Sequence, residues 1–157
     1  MRLASLILGG ILAGSLTLAA SAQPPSGAAI FRDQCAVCHQ PRGQGLRGQF
    51  PPLAGNGDIF LSRDFPARVV LFGLSGKIEV RGEAFDSAMP PLDFLSDWEI
   101  AAVVAFVRQS WGNAGLPHKA MKPVDAAAVA ALRAKKPTLV GAMFSERERL
   151  KGNAARH

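Results

Sequence analysis

The chain holds only two cysteines, Cys35 and Cys38, three positions apart and followed directly by His39. Two thiols so near in sequence close no long loop, so a disulfide between them would restrain the unfolded chain little and a local chemical role is favoured. The run Cys35-Ala36-Val37-Cys38-His39 has the C-x-x-C-H spacing of c-type haem attachment. Thiols at this separation reach two vinyl groups on one porphyrin edge, and the next residue is carried under the iron, where an imidazole can bind. A thioredoxin-type pair would need a preceding strand in a βαβ setting, which the pattern lacks. A zinc site would need further ligands, and the remaining histidines, His118 and His157, lie far downstream. The expectation is one covalent haem c per chain, bonded through Cys35 and Cys38, with His39 on its iron.

Haem iron in an electron carrier takes a second ligand, and methionine both raises the potential and leaves no open position. Beyond the N-terminal segment the methionines are Met89, Met121 and Met143. Met89 lies in Ala88-Met89-Pro90-Pro91, 50 residues after His39. The two prolines stiffen the chain just past the sulfur, which helps to hold a ligand in place. Met121 and Met143 fall in a basic C-terminal stretch. Met89 is therefore taken as the second ligand, in preference to a packing methionine.

From Gly27 to Asn113 the chain resembles the class I cytochromes c. Gly27-Ala28-Ala29-Ile30-Phe31 resembles that family's N-terminal helix, in which a glycine admits the C-terminal helix at a close crossing and an aromatic packs there. Phe50-Pro51-Pro52-Leu53-Ala54-Gly55 resembles the loop whose proline carbonyl accepts a hydrogen bond from the ligating histidine. The resemblance implies that Pro51 fixes the tautomer and orientation of His39 and that Leu53 packs on the haem. Ser96-Asp97-Trp98-Glu99-Ile100 through Ser110-Trp111-Gly112-Asn113 resembles the last helix of cytochrome subunits that serve periplasmic alcohol and related dehydrogenases. It implies an all-α class I cytochrome c fold with three or more helices around one haem; the residues themselves add a small β-hairpin and a helical or partly disordered C-terminal tail, which departs from the shortest members of the family. It also implies an electron carrier rather than an enzyme, either free or as a subunit of an oxidoreductase complex.

The elements that must position these residues can be read independently. Ser26 to about Val37 forms a short helix leading into the haem motif. The Gly/Pro-rich stretch 41–57 is a loop suited to wrapping one haem edge. Asp64 is expected to cap a helix from Phe65 to about Gly73, with Pro66 in its first turn. Ile78-Glu79-Val80 before Arg81-Gly82 reads as a small hairpin. Ser96 with Glu99 forms a capping box. Trp98, Ala101, Ala102, Ala105 and Phe106 then share one helical face, widened by Val103, Val104 and Val107. Asp125 caps a further helix ending before Pro137, with basic residues favourably near its C-terminus.

At 157 residues, 48% hydrophobic and 19% charged, the chain suits one globular unit rather than a disordered one. Arg2, the apolar run Leu3 to Ala20 and the Ala20-Ser21-Ala22 ending read as a cleaved signal peptide over 1–22. The run is about the minimum length for a membrane span, but its small residues and A-x-A ending favour cleavage over a retained anchor. Export and haem attachment together indicate a periplasm. The haem domain is assigned to 23–116 and a basic extension to 117–157. The net charge of +6 is unevenly placed: 117–157 carries 9 basic and 3 acidic residues. Export argues against nucleic acid as its partner. Expected partners are redox proteins: a periplasmic dehydrogenase as donor, and a terminal oxidase or another cytochrome as acceptor. The tail is read as docking an acidic partner or an anionic membrane surface, as solvated, or as a clasp packed through Val129, Leu132, Met143 and Phe144. The rival function is a gas- or peroxide-binding haem protein whose iron lacks Met89, with Arg81 the nearest candidate for a distal group.

Overall fold

The computed structural model describes residues 24–135, 137 and 141–156. The signal peptide assigned to 1–22 lies outside the described residues. Ser26 opens the first helical stretch, its Oγ accepting from the Ala29 amide at 3.2 Å. The stretch runs as α1 (Gly27–Ile30), a π-helical turn (Phe31–Cys35) and α2 (Ala36–His39). The wider turn is an insertion of the kind found at functional sites, and it falls immediately before the attachment motif. Gln40, at φ 66° and ψ 155°, stops the helix one residue after His39.

Helix α4 (Asp97–Gln109) begins with the expected capping box: Ser96 Oγ accepts from the Glu99 amide at 3.3 Å, and Glu99 Oε2 accepts from the Ser96 amide at 2.8 Å. The Ser96 hydroxyl and amide bonds hold the Glu99 carboxyl below its usual range. The buried face consists of Ile100, Ala101, Val103, Val104 and Arg108. Trp98, expected on that face, is 41% exposed. It lies in the first turn of the helix. At the crossing with α1, a Cβ added to Gly27 would lie 2.2 Å from the Ala102 carbonyl oxygen and 2.9 Å from Phe106 Cβ. Only a glycine fits this approach. Phe31 packs on Phe106 and Trp111 with ring centroids 5.5 and 4.9 Å away, sealing the crossing.

Helix α3 (Phe65–Phe72) has Pro66 in its first turn as expected, but Asp64 does not cap it. Asp64 is itself in a helical conformation, and Ser62 Oγ accepts from the Phe65 amide at 3.1 Å instead. Strands β1 (Ile78–Val80) and β2 (Glu83–Phe85) pair antiparallel, Ile78 opposite Phe85. Arg81 and Gly82 connect them, both at positive φ (54° and 79°), which is the two-residue turn that matches strand twist.

The tail follows an irregular stretch, 117–125, with two helices. Asp125 Oδ1 accepts from the Ala128 amide at 2.8 Å and starts α5 (Ala126–Arg133). Val124 and Val129 enter the main core beside α4. Arg133 fastens the end of α5 to Asp97 at 2.8 Å and to the Asp93 and Leu95 carbonyls at 2.6 Å each. In α6 (Ala142–Ala154), Met143 and Arg147 are buried, Phe144 packs on the hairpin core, and Glu146 accepts from Arg68 at 2.9 Å. The architecture is mostly helical with one small hairpin. No helix among the described residues is long and apolar enough to cross a membrane.

Candidate haem-binding site

The π-helical turn and α2 place Cys35, Cys38 and His39 on one wall of a largely apolar cavity. His39 Nδ1 lies 2.9 Å from the Pro51 carbonyl oxygen. A carbonyl can only accept, so Nδ1 carries the hydrogen and Nε2 keeps its lone pair for a metal. Burial lowers the pKa of His39, and the Pro51 carbonyl works against that shift without cancelling it. The ring is therefore neutral, as a ligand must be. The Gly45 amide donates to the His39 carbonyl at 2.9 Å, which holds the backbone where the helix stops.

Cys35 and Cys38 are both free and half-buried. Burial, and secondarily the neighbouring Cys38, pushes the Cys35 thiol up to about 11. Such a thiol is poorly disposed to thiolate chemistry at neutral pH, which disfavours a thioredoxin-like role. Among the described residues no cluster of three or more His, Cys, Asp or Glu could hold a metal ion, so a zinc site has no support there.

The loop after Pro51 is tied to the far end of α4 by Asn113, which is fully buried. Its Nδ2 donates to the Leu53 carbonyl at 3.0 Å and the Val107 carbonyl at 2.8 Å, and its Oδ1 accepts from the Gly55 amide at 2.8 Å. Leu53 is half-buried and lines the cavity alongside Pro51. Val103 and Val107 of α4 supply more of the apolar lining.

Met89 also lines this cavity, within a segment held by backbone bonds. The Met89 amide donates to the Leu74 carbonyl at 2.8 Å, and the Leu74 amide donates to the Met89 carbonyl at 3.0 Å. This close pairing requires Gly73: it sits at φ 75°, and a Cβ there would lie 2.5 Å from the Met89 carbonyl oxygen. Pro90 and Pro91 follow. Met121 lines a separate cavity and Met143 a third, so neither shares the space that holds His39. Arg81 is not among the lining residues of the haem cavity; it bonds the Ala54 carbonyl at 3.3 Å from outside it.

The cavity encloses about 1220 Å³ of atom-free space, part of it open to solvent. Its lining is chiefly aliphatic and aromatic, with a few polar groups. Such a lining suits a large flat macrocycle with apolar faces. Two thiols stand beside an imidazole with a free Nε2, and a thioether comes from a distant segment. This donor set fits haem c. All four of the side chains named from the sequence line this one cavity. Sequence reasoning misses three charged cavity residues: Asp58, Arg108 and Arg147. Arg108 is buried and donates to the carbonyls of Ile59, Ser62 and Arg63 at 2.8–3.1 Å. Burial lowers its pKa, with Asp64 opposing the shift. An arginine interrupting the valine face of α4 is the only sequence sign of it.

Comparison with known proteins agrees with this site. The family profile described as Cytochrome c matches residues 25–111. A cytochrome c-552 of Thermus thermophilus is 43% identical over 132 residues, spanning 82% of this chain and 85% of that protein. The cytochrome c subunit of the quinone alcohol dehydrogenase of Gluconobacter oxydans is 42% identical over 96 residues, which is 58% of this chain but only 19% of that subunit. The gluconate 2-dehydrogenase cytochrome c subunit of Pantoea cypripedii is 33% identical over 69% of this chain and 24% of its own length. The chain belongs to the cytochrome c family: it is an electron carrier with a covalently bound c-type haem, not itself a catalytic enzyme.

Proposed function

We propose that Cys35 and Cys38 carry the haem through thioether bonds, that His39 and Met89 ligate its iron, and that the chain passes single electrons between a periplasmic dehydrogenase and a respiratory acceptor. One observation carries the ligand assignment: residues from segments 50 positions apart, His39 and Met89, line the same apolar cavity. The haem supplies the one-electron redox couple. The chain's residues do the rest. Pro51 holds His39 in the tautomer that leaves Nε2 free. The Leu74 pairing and the two prolines hold Met89 in place. Leu53, Val103 and Val107 exclude water from the faces of the group. His39 and Met89 together would leave the iron little room for peroxide or nitric oxide, and Arg81 is not among the residues lining the cavity.

The domain division proposed is a haem domain over 23–116 with a basic extension over 117–157, preceded by a signal peptide cleaved before Gln23. Electron transfer needs only brief docking over a small surface. Lys119, Lys122, Lys135 and Arg149 are exposed on the extension and offer a positive face to an acidic redox partner or an anionic membrane surface. The names of the dehydrogenase subunits above support a dehydrogenase as donor.

The test is a redox titration of the holoprotein with Met89→Ala and Met121→Ala. Loss of the thioether is expected to lower the potential in Met89→Ala, since methionine ligation favours the reduced state, and Met121→Ala is expected to match the wild type. An unchanged potential in Met89→Ala would refute the ligand assignment. N-terminal sequencing of the protein from a periplasmic fraction should begin at Gln23.

A further inference from the structure

Arg147 lies beyond the residues matched by the family profile, yet its side chain is 2% exposed and lines the same cavity as His39 and Met89. Its Nε donates to Asp58 Oδ2 at 2.8 Å, and its Nη2 donates to the same oxygen and to the Glu79 carbonyl, the latter at 2.6 Å. Its Nη1 donates to Glu148 Oε1 at 2.6 Å. Asp58 lines the cavity too, with its side chain 19% exposed. A buried ion pair is weak evidence for stability, because desolvating two charges offsets most of their attraction. The placement of this pair on the cavity wall calls for a role beyond packing.

We propose that Arg147 and Asp58 are positioning residues for the redox chemistry: α6 of the extension places a cation on the wall of the haem cavity, Asp58 places an opposing anion beside it, and the two charges set the reduction potential. This rests on the reading of the cavity as the haem site. Reduction adds one negative charge to the iron centre. A nearby cation therefore stabilises the ferrous form and a nearby anion the ferric form. Within the pair the two effects oppose each other: removing Arg147 leaves Asp58 without its cation, and removing Asp58 leaves Arg147 with only the half-exposed Glu148 as counter-charge. The site's other charged lining residue, Arg108, is held by the carbonyls of Ile59, Ser62 and Arg63, the first of them next to Asp58, and keeps its charge in every variant.

The experiment is spectroelectrochemical titration of the holoprotein as wild type, Arg147→Gln, Arg147→Lys and Asp58→Asn, with ferric optical spectra and thermal melting on each. At the wild-type midpoint, Arg147→Gln is expected to raise the ferric-to-ferrous ratio by about an order of magnitude, the scale of an uncompensated unit charge across about 10 Å at an effective dielectric constant of about 20. Asp58→Asn is expected to lower that ratio by a similar factor. Arg147→Lys keeps the charge and should stay within about twofold of wild type, although it loses the forked bond and melts earlier. Opposite signs in Arg147→Gln and Asp58→Asn cannot come from loosened packing, which would move both the same way. If Arg147→Gln does not accumulate, a lowered ratio in Asp58→Asn together with near-wild-type Arg147→Lys carries the proposal. Shifts of the same sign, or melting losses with unchanged potentials, overturn it. A failure of that kind would leave the covalent haem and the effect of Met89→Ala intact, so it is distinguishable from failure of the haem assignment.

Discussion

The wall that carries His39 and the wall that carries Met89 are held by different means. On the histidine side the ring is buried and bonded to Pro51, the Pro51–Gly55 loop is tied to α4 through Asn113, and an aromatic trio packs on the helix behind the motif. On the methionine side the ligand segment rests on a two-bond backbone pairing with Leu74, and its neighbours Ser87, Ala88, Pro90 and Pro91 are exposed. His39 is fixed by the core and Met89 by a braced loop. Local opening follows few buried contacts and exposed backbone bonds, so the methionine side should be the first to give way.

Three substitutions can break or sharpen that contrast. Asn113→Ala strips partners from two carbonyls and one amide at a fully buried position. The expected loss is about 2–4 kcal/mol, read as a lower global melting temperature with methionine ligation lost only as the whole protein unfolds. Gly27→Val drives a side chain against the Ala102 backbone and Phe106, at the helix crossing behind the histidine wall. It should cost about 1–3 kcal/mol, with helix loss and ligand loss still coinciding in a denaturant titration. Gly73→Ala acts only on the methionine side, by forcing a Cβ at positive φ against the Met89 carbonyl. Its expected cost is about 1–2 kcal/mol, and here the spectroscopic sign of thioether ligation should disappear at a lower denaturant concentration than helical circular dichroism. Coincident transitions in Gly73→Ala would mean that the two walls form one cooperative unit.

The same contrast explains what the sequence could disclose. The attachment motif of the histidine wall is contiguous, so Cys35, Cys38 and His39 stand in a recognisable spacing, and Pro51 is reached through the family resemblance of its loop. The α1–α4 crossing is legible because only glycine survives a 2.2 Å approach. The capping box of α4 is legible because its two partners are three residues apart. Asp64 misleads because it is itself in a helical conformation and the residue two on, Pro66, has no amide hydrogen to give it, while Ser62 accepts from the Phe65 amide. Trp98 misleads because periodicity shows which residues share a face but not how much of that face is covered. Arg147 is not legible at all. Among nine basic residues of the tail nothing local distinguishes it, and its partner Asp58 is 89 positions away. Long-range pairing of charges leaves no period to read.

The central claim is that Met89 and His39 share one iron. X-ray absorption at the iron edge of the ferric holoprotein tests it most directly, on wild type and Met89→Ala side by side. The account predicts a sulfur neighbour of the iron in the wild type that is absent from Met89→Ala, with the histidine nitrogen retained in both. A wild-type spectrum without sulfur, or a sulfur that persists in Met89→Ala, would contradict it.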